Sequence, residues 1–339
     1  MARPRLALSI GCPSGVGPEV AVLAAGARKE RVLLVGDFAV VARAASLRKV
    51  GSVHFVPIDD PRSGFDLPAG IVGVFQPTRS LSLQNARFGA PSKAGGAAQL
   101  AWVDAACDLV SAGLADALVT GPVSKEAIVL SRASGSKGFI GHTEHLQARL
   151  GSKDVVMAFY GEAFSTALVT THLALAKVPA AITKRAVATT TYFLGDFLLG
   201  LASRKKRVRL AVAGLNPHAG EHGLFGKEEI KVISPAIAKV RARFAKERRV
   251  IEIAGPVPAE TAFRKANDGL YDGVVAMYHD QATIPMKLAS FGEAVNVSLA
   301  LPIIRTSVDH GTAYDIAGKA KADPSGMRAA CELAVRMLA

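Results

Sequence analysis

The chain has 339 residues, half of them apolar, which is enough for one large or two medium-sized buried cores and excludes a small stapled scaffold. Lysine and arginine number 41 against 28 acids, a formal charge of +13 that suits nucleic acid, a membrane surface or anionic small molecules. Aromatics make up only 6% and never interleave with basic stretches as a base-stacking surface requires, and no apolar run reaches the roughly 18 residues of a membrane span, so neither nucleic acid nor membrane is the expected partner.

In chain order, short aliphatic runs alternate with longer alanine-rich amphipathic ones, the pattern of an α/β protein with a largely parallel sheet. The run LALSI before Gly11 is too short for the apolar core of a secretory signal. Cys12, Cys107 and Cys331 are far apart and lack a CxxC pairing, so a reducing cytoplasm is expected, with neither disulfides nor a zinc ribbon. Strands are predicted at 6–10, 32–35, 117–120, 208–213, 250–253, 273–277 and 295–299, and helices at 18–28, 92–112, 183–200, 227–247 and 325–338. Residues 155–160 and 164–170 flank Gly161 and Glu162 as an antiparallel hairpin, which breaks the rhythm and predicts a second subdomain in the middle of the chain, from about residue 125. The densest basic cluster, Arg204, Lys205, Lys206, Arg207 and Arg209, lies between a helix and a strand, where a solvated turn accounts for it.

Polar residues with chemical capability fall directly after predicted strands. The strand ending at Thr120 leads into Gly121, Pro122 and Lys125, and the one ending at Thr170 leads into Thr171 and His172. The next two lead into GLNPHAGEHG, with Asn216, His218, Glu221 and His222, and into Tyr278, His279, Asp280 and Gln281. Ligands of open α/β sheets bind beyond the carboxyl ends of strands, so these loops are expected to share one crevice. His172, His218 and His279 offer three neutral imidazoles for a divalent ion, with positions left open for substrate. Their long separations match no local zinc motif, and chance placement in loops explains them equally well. HExxH is absent, against a common zinc hydrolase design.

The glycine turn GCPSGVGPEV follows a strand and precedes a helix, as a phosphate-binding turn does, yet it satisfies neither the dinucleotide nor the P-loop fingerprint. An anion cradle and a purely structural βα turn both remain open. Residues 295–319 combine Asn296, Arg305, Asp309, His310, Thr312 and Asp315 with several glycines, a density typical of a binding loop. Lys287 and Arg305 offer a point charge and a bidentate fork for a phosphate or carboxylate, or are solvated surface residues.

Eight motifs running nearly end to end, GCPSGVGPEV, VTGPVSKEAI, FIGHTEHL, TTHLALAKVPAAIT, AGLNPHAGEHGLFGKEE, GPVPAETAF, MYHDQ and LPIIRTSVDHGTAYDIAGK, resemble the 4-hydroxythreonine-4-phosphate dehydrogenase family of pyridoxal phosphate biosynthesis. DHGTAYDIAGKAKADP also resembles the cofactor loop of isopropylmalate and isocitrate dehydrogenases. The resemblance implies an isocitrate/isopropylmalate dehydrogenase-like fold: a single enzyme unit of two interleaved α/β/α subdomains with a cleft between them. It implies a homodimer with shared active sites, in which one metal ligand comes from the other subunit. It places the metal (Zn, with Mg or Co as alternatives) on His172, His218 and His279, substrate on His142, Thr143, Lys287, Asn296 and Arg305, and NAD or NADP on His310, Gly311, Thr312 and Asp315. The implied reaction oxidises 4-phosphohydroxy-L-threonine to a 3-oxo acid, which loses CO₂ to give 3-amino-2-oxopropyl phosphate. Asp280 and Lys287 stand as alternative general bases, and neither is assigned.

Two positions depart from the family pattern: Ala282 follows MYHDQ where glycine is common, and Cys12 replaces a usual acid. Branches of the family acting on other phosphorylated four-carbon acids, or on aromatic cis-dihydrodiol carboxylates, therefore remain alternatives. So do a non-catalytic binder of anionic ligands or nucleic acid, and a metal hydrolase that uses the same three histidines.

Overall fold

A computed structural model describes residues 3–26, 30–202, 207–290 and 292–339. Contacts divide the chain into two compact units, residues 1–153 with 301–339, and residues 154–300. In chain order the first unit contributes β1 (Arg5–Ser9), α1 (Gly17–Gly26), β2 (Arg31–Val35), α2 (Phe38–Leu47), β3 (His54–Ile58), β4 (Ile71–Phe75), α3 (Lys93–Ser111), β5 (Ala117–Thr120), α4 (Lys125–Ser131) and α5 (His142–Arg149). The second contributes β6 (Val156–Tyr160), β7 (Ser165–Leu168), α6 (Val178–Ala181), α7 (Lys184–Leu201), β8 (Val208–Ala213), α8 (Ser234–Lys246), β9 (Ile251–Val257), α9 (Ala259–Asn267), β10 (Gly273–Ala276), α10 (His279–Ala289) and β11 (Val295–Leu299). The chain then returns to the first unit for β12 (Ile304–Val308) and α11 (Ser325–Met337).

The strands of the first unit are all parallel, in the order β3-β4-β2-β1-β5-β12. Burial on both faces explains the unbroken aliphatic runs: every residue of β5, and all but the first of β1 and β2, is buried. From β1 the chain turns to β2 on one side and later reaches β5 on the other, so a topological switch lies between β1 and β5. Helices start where short polar side chains can cap them: Asp37, Ser92 and Ser124 accept from the amides of Val40, Gly95 and Ala127 at 3.0, 2.9 and 3.2 Å. Helices α3 and α4 approach so closely that a Cβ on Gly96 would lie 2.0 Å from the Ala127 carbonyl oxygen. That packing holds residues 125–149 in the first unit, whereas the sequence reading opened the second subdomain near 125.

In the second unit the order is β11-β6-β7-β10-β8-β9. The expected hairpin is present: β6 and β7 pair antiparallel, Phe159 opposite Thr166, and the Gly161 amide closes the turn on the Phe164 carbonyl at 3.2 Å. Strands β7, β10, β8 and β9 run parallel. Phe159, Phe164, Phe263, Met157 and Met286 fill the core between this sheet and helices α9 and α10.

Three strands escaped the sequence reading for identifiable reasons. Strand β3 contains Pro57 and lies at the end of its sheet order, where a missing N–H is tolerated. Strand β4 contains Gly73, whose Cβ would meet Ile58 Cγ1 at 2.9 Å. Strand β12 reads as a polar loop because Arg305, Thr306 and Ser307 are internal to it, yet all three are buried and hydrogen-bonded. Arg204, Lys205, Lys206 and the last two residues of the first predicted helix lie outside the described residues; of that basic cluster, Arg207 pairs with Glu252, and Arg209 donates to the Gly269 carbonyl at 2.8 Å. Cys12, Cys107 and Cys331 are buried and none is in a disulfide, and no described helix is long and apolar enough to cross a membrane.

Close packing at Gly96 makes a specific prediction. Gly96→Ala should cost about 1–3 kcal/mol through overpacking, whereas Gly200→Ala, in a helix with open space around it, should stabilise by up to about 1 kcal/mol. Thermal and urea denaturation of the two variants measures both signs.

Candidate active site

Parallel pairing brings the histidine loops of the second unit to one edge. Strands β7, β10 and β8 are neighbours, and each is followed by one of the three predicted ligands, with His279 beyond the end of the central strand, β10. The β7–β10 ladder continues past the strands: Val169 N donates to Ala276 O at 2.9 Å, and Thr170 bonds Met277 O through both N (3.2 Å) and Oγ1 (2.8 Å). Two residues further, the His172 and His279 rings lie 5.8 Å apart. Gln281 ties the third strand in, accepting from Met277 N at 2.6 Å and donating to Gly214 O at 2.9 Å.

His279 opens α10, and its Nδ1 lies 2.6 Å from Asp280 Oδ1, a pairing that orients the ring and leaves Nε2 for a ligand. The imidazole is partly exposed, at 40% of its side-chain surface. Two such imidazoles fit a divalent cation by donor chemistry. His218 sits instead in a left-handed turn with its ring 6.2 Å from that of Phe225. Among the described residues, no group of three or more His, Cys, Asp or Glu side chains is placed to hold one ion. The chain thus assembles two of the three predicted ligands and leaves the third apart. Lys287 is exposed on α10, two turns beyond His279, and Asn296 lies on β11 opposite Phe159.

In the first unit, the loops after β1, β5 and β12 are bonded to one another at the switch point. Cys12 N donates to Pro122 O at 2.8 Å, and Val16 N donates to Thr312 O at 3.0 Å. A Cβ on Gly11 would lie 2.4 Å from Pro122 O, and one on Gly15 2.6 Å from Thr312 O, so only glycine permits these approaches. The glycine turn and the predicted cofactor loop are therefore one structure. Tyr314 fastens them, its hydroxyl 3.4 Å from Cys12 Sγ, and burial pushes that phenol up to about 12. Fully buried Glu19 accepts from Gly318 N at 2.8 Å and holds the far end of the loop. His310 Nδ1 lies 2.9 Å from Gly311 O, while its Nε2 is buried with no protein partner; Gly311 has open space around it, and Asp315 is exposed.

Of the predicted substrate residues, the first unit groups three. His142 and Thr143 begin α5, and Arg305 enters from β12, 2% exposed, donating to Thr120 Oγ1 at 2.8 Å. Burial pushes the Arg305 guanidinium down to about 9, against the opposing pull of Glu144, so it stays charged at neutral pH. Burial first, then the charges of Arg305, His145 and Lys125, hold His142 well below the ordinary 6.5, so its ring is neutral. The buried Nε2 of His142 has no protein partner. A desolvated cation beside an unsatisfied imidazole nitrogen is a site suited to an anion. Glu19, Thr120 and Tyr314 were given no role from the sequence, because each works through a contact distant along the chain, and Gln281, marked there only by its place after a strand, owes its link to Gly214 to a residue 67 positions away.

A family profile described as "Pyridoxal phosphate biosynthetic protein PdxA" matches residues 28–334. The chain belongs to this family. The 4-hydroxythreonine-4-phosphate dehydrogenase of Desulfosudis oleivorans is 42% identical over 98% of the chain and 96% of its own length. The D-threonate 4-phosphate dehydrogenase of Pectobacterium atrosepticum is 36% identical, with 98% of both chains covered. A crystal structure of 4-hydroxythreonine-4-phosphate dehydrogenase from Klebsiella pneumoniae superposes with a TM-score of 0.82 at 34% identity, covering 99% of this chain and 100% of that one. The mixed α/β fold is thus that of the family, and the chain is a dehydrogenase.

Neutral His142 has a measurable signature. Its nitrogen chemical shifts should stay those of an uncharged ring as pH falls below 6.5, where an exposed imidazole titrates. Because the folded pKa is depressed, this residue's contribution to stability is present above pH 6.5 and lost as pH falls below it toward the folded value. His142→Gln should accordingly flatten the acid limb of the stability profile.

Proposed function

We propose that this protein oxidises 4-phosphohydroxy-L-threonine with NAD or NADP, giving a 3-oxo acid that decarboxylates to 3-amino-2-oxopropyl phosphate. The observation that carries this reading is the buried, charged Arg305 beside the unsatisfied Nε2 of neutral His142, in a chain whose relatives are named for phosphorylated hydroxy acids. Arg305 binds the phosphate and is kept rigid by Thr120, while His142 and Thr143 complete its hydrogen bonds. Lys287 and Asn296 complete the set of substrate contacts in this reading. When bound, a divalent ion on His172, His279 and His218 supplies Lewis acidity at the hydroxyl, and the nicotinamide supplies the hydride acceptor. Asp280 holds the His279 tautomer through Nδ1. The loop bearing His310, Gly311, Thr312 and Asp315, braced on the glycine turn, receives the nucleotide, and His310 Nε2, left as an acceptor by the Nδ1–Gly311 bond, takes a hydrogen bond from it.

We further read the working form as a homodimer in which His218 reaches the site of the partner. The separation of His218 from a three-ligand group within one chain supports this, as do exposed Leu173, Leu175, Leu224 and Phe225 on the two loops concerned. A second reading, D-threonate 4-phosphate as substrate, is favoured by the Pectobacterium relative.

NADH or NADPH formation on 4-phosphohydroxy-L-threonine, D-threonate 4-phosphate and an aromatic cis-dihydrodiol carboxylate, with and without chelator, separates the substrates. Turnover of the first, lost with chelator, is expected; no reduction on any of them contradicts the proposal. Arg305→Lys, which keeps charge and loses the fork, should raise KM for the phosphorylated substrate by about tenfold or more, and an unchanged KM would place the phosphate elsewhere. For the shared site, mixing inactive His218→Ala and His279→Ala proteins should restore part of the activity, since one of the two sites in a mixed dimer is intact. Absence of complementation in a verified mixed dimer rules sharing out.

A further inference from the structure

The turn that carries His218 is an unusual stretch of backbone. His218, Ala219, Gly220, Glu221 and His222 all have φ between 41° and 81°, four of them with a Cβ that the left-handed region crowds against the following carbonyl. Such a run persists only where its surroundings over-determine it. Glu229 supplies that constraint. Its carboxylate is 2% exposed, and Oε1 accepts from the amides of Leu215 and Asn216, both at 2.8 Å. Oε2 accepts from Asn216 Nδ2 at 3.0 Å, the same group that donates to Glu228 Oε2 at 2.8 Å. A Cβ on Gly220 would lie 2.7 Å from Glu229 Oε2, and one on Gly214 would lie 2.9 Å from Ala219 Cα, so the turn is wrapped directly on the carboxylate. Glu229 itself opens a π-helical turn, Glu229–Ile233, that feeds into α8 and is pinned by fully buried Ile233. Single π turns of this kind gather at functional sites.

We propose that Glu229 is the positioning residue of His218: by capping Leu215 and Asn216 it forces the chain into the left-handed turn and fixes where the imidazole is presented. Only a carboxylate offers acceptors on both oxygens here, because a glutamine would set its own NH₂ against Asn216 Nδ2. The inference rests on the reading of His218 as a ligand of the divalent ion.

The test is Zn(II) titration of the full-length protein by calorimetry, paired with hydrogen exchange followed by mass spectrometry, on the parent and on Glu229→Ala, Glu229→Asp and His218→Ala. Glu229→Ala should weaken Zn(II) binding by about tenfold or more, toward the His218→Ala value, a loss of the size that outer-shell partners of metal ligands cause. It should also speed exchange across 215–222 and leave the strands of the first unit protected, which separates a local effect from unfolding. Glu229→Asp keeps the charge but withdraws the acceptor by a methylene, and it carries the same expectation where the alanine variant fails to fold. A folded Glu229 variant with exchange across 215–222 unchanged, or with faster exchange and Zn(II) affinity still within about twofold of the parent, overturns the proposal. If the parent binds no Zn(II), the ligand reading fails instead, and exchange across 215–222 still decides whether Glu229 fixes the turn.

Discussion

Parallel pairing of β7, β10 and β8 is the constraint on which the chemistry of the second unit depends. Parallel strands end at the same edge of a sheet, so residues 172, 218 and 279, remote along the chain, emerge from adjacent strand ends. The ladder bonds of Val169 and Thr170 carry the alignment beyond the strands and bring two imidazoles within 5.8 Å. Asp280 and Gln281 then finish the local work, one orienting a ring and the other lacing β10 to β8. A helix beginning at His279 sets that ring in the first turn of α10, where its direction follows from the backbone more than from a flexible side chain.

The first unit applies the same geometry to a different end. Its switch point gathers three loops, and glycines at 11 and 15 let backbone approach backbone where any Cβ would collide. The buried groups nearby are charged or polar by design of position: Arg305 stays cationic although desolvated, and that cation in turn helps to keep His142 neutral. A desolvated cation beside an unsatisfied imidazole nitrogen gains when an anion is bound, and in the proposed reading that anion is the substrate's phosphate.

How much of this was legible in the sequence follows from which forces are local. Aliphatic runs marked most of the sheet, alanine-rich amphipathic runs marked several helices, and the hairpin was visible as two runs flanking Gly161 and Glu162. Pro57, Gly73 and the polar side chains of β12 hid three strands, because their exceptions are satisfied by neighbours far along the chain. The three histidines were marked by their place after strands, though nothing in their spacing distinguished them from chance. His142 came from motif resemblance, and Arg305 was marked both by that and as a guanidinium fork in a polar stretch that a solvated surface explained equally well; their electrostatics depend on burial, which a sequence does not display. Glu229 left no signal at all beyond lying in a motif, since its role is to accept hydrogen bonds from residues 13 and 14 positions earlier.

On the proposed reading, His172 and His279 supply two of the three protein ligands of a divalent metal centre that serves a phosphorylated hydroxy acid. Crystals grown with Zn(II) and 4-phosphohydroxy-L-threonine, measured on either side of the zinc absorption edge, test it directly. An anomalous peak within coordination distance, about 2.0–2.2 Å, of Nε2 of His279 and a ring nitrogen of His172, with the phosphate on Arg305, is the predicted result. Zinc bound away from both imidazoles, or a phosphate seated away from Arg305, would contradict the account.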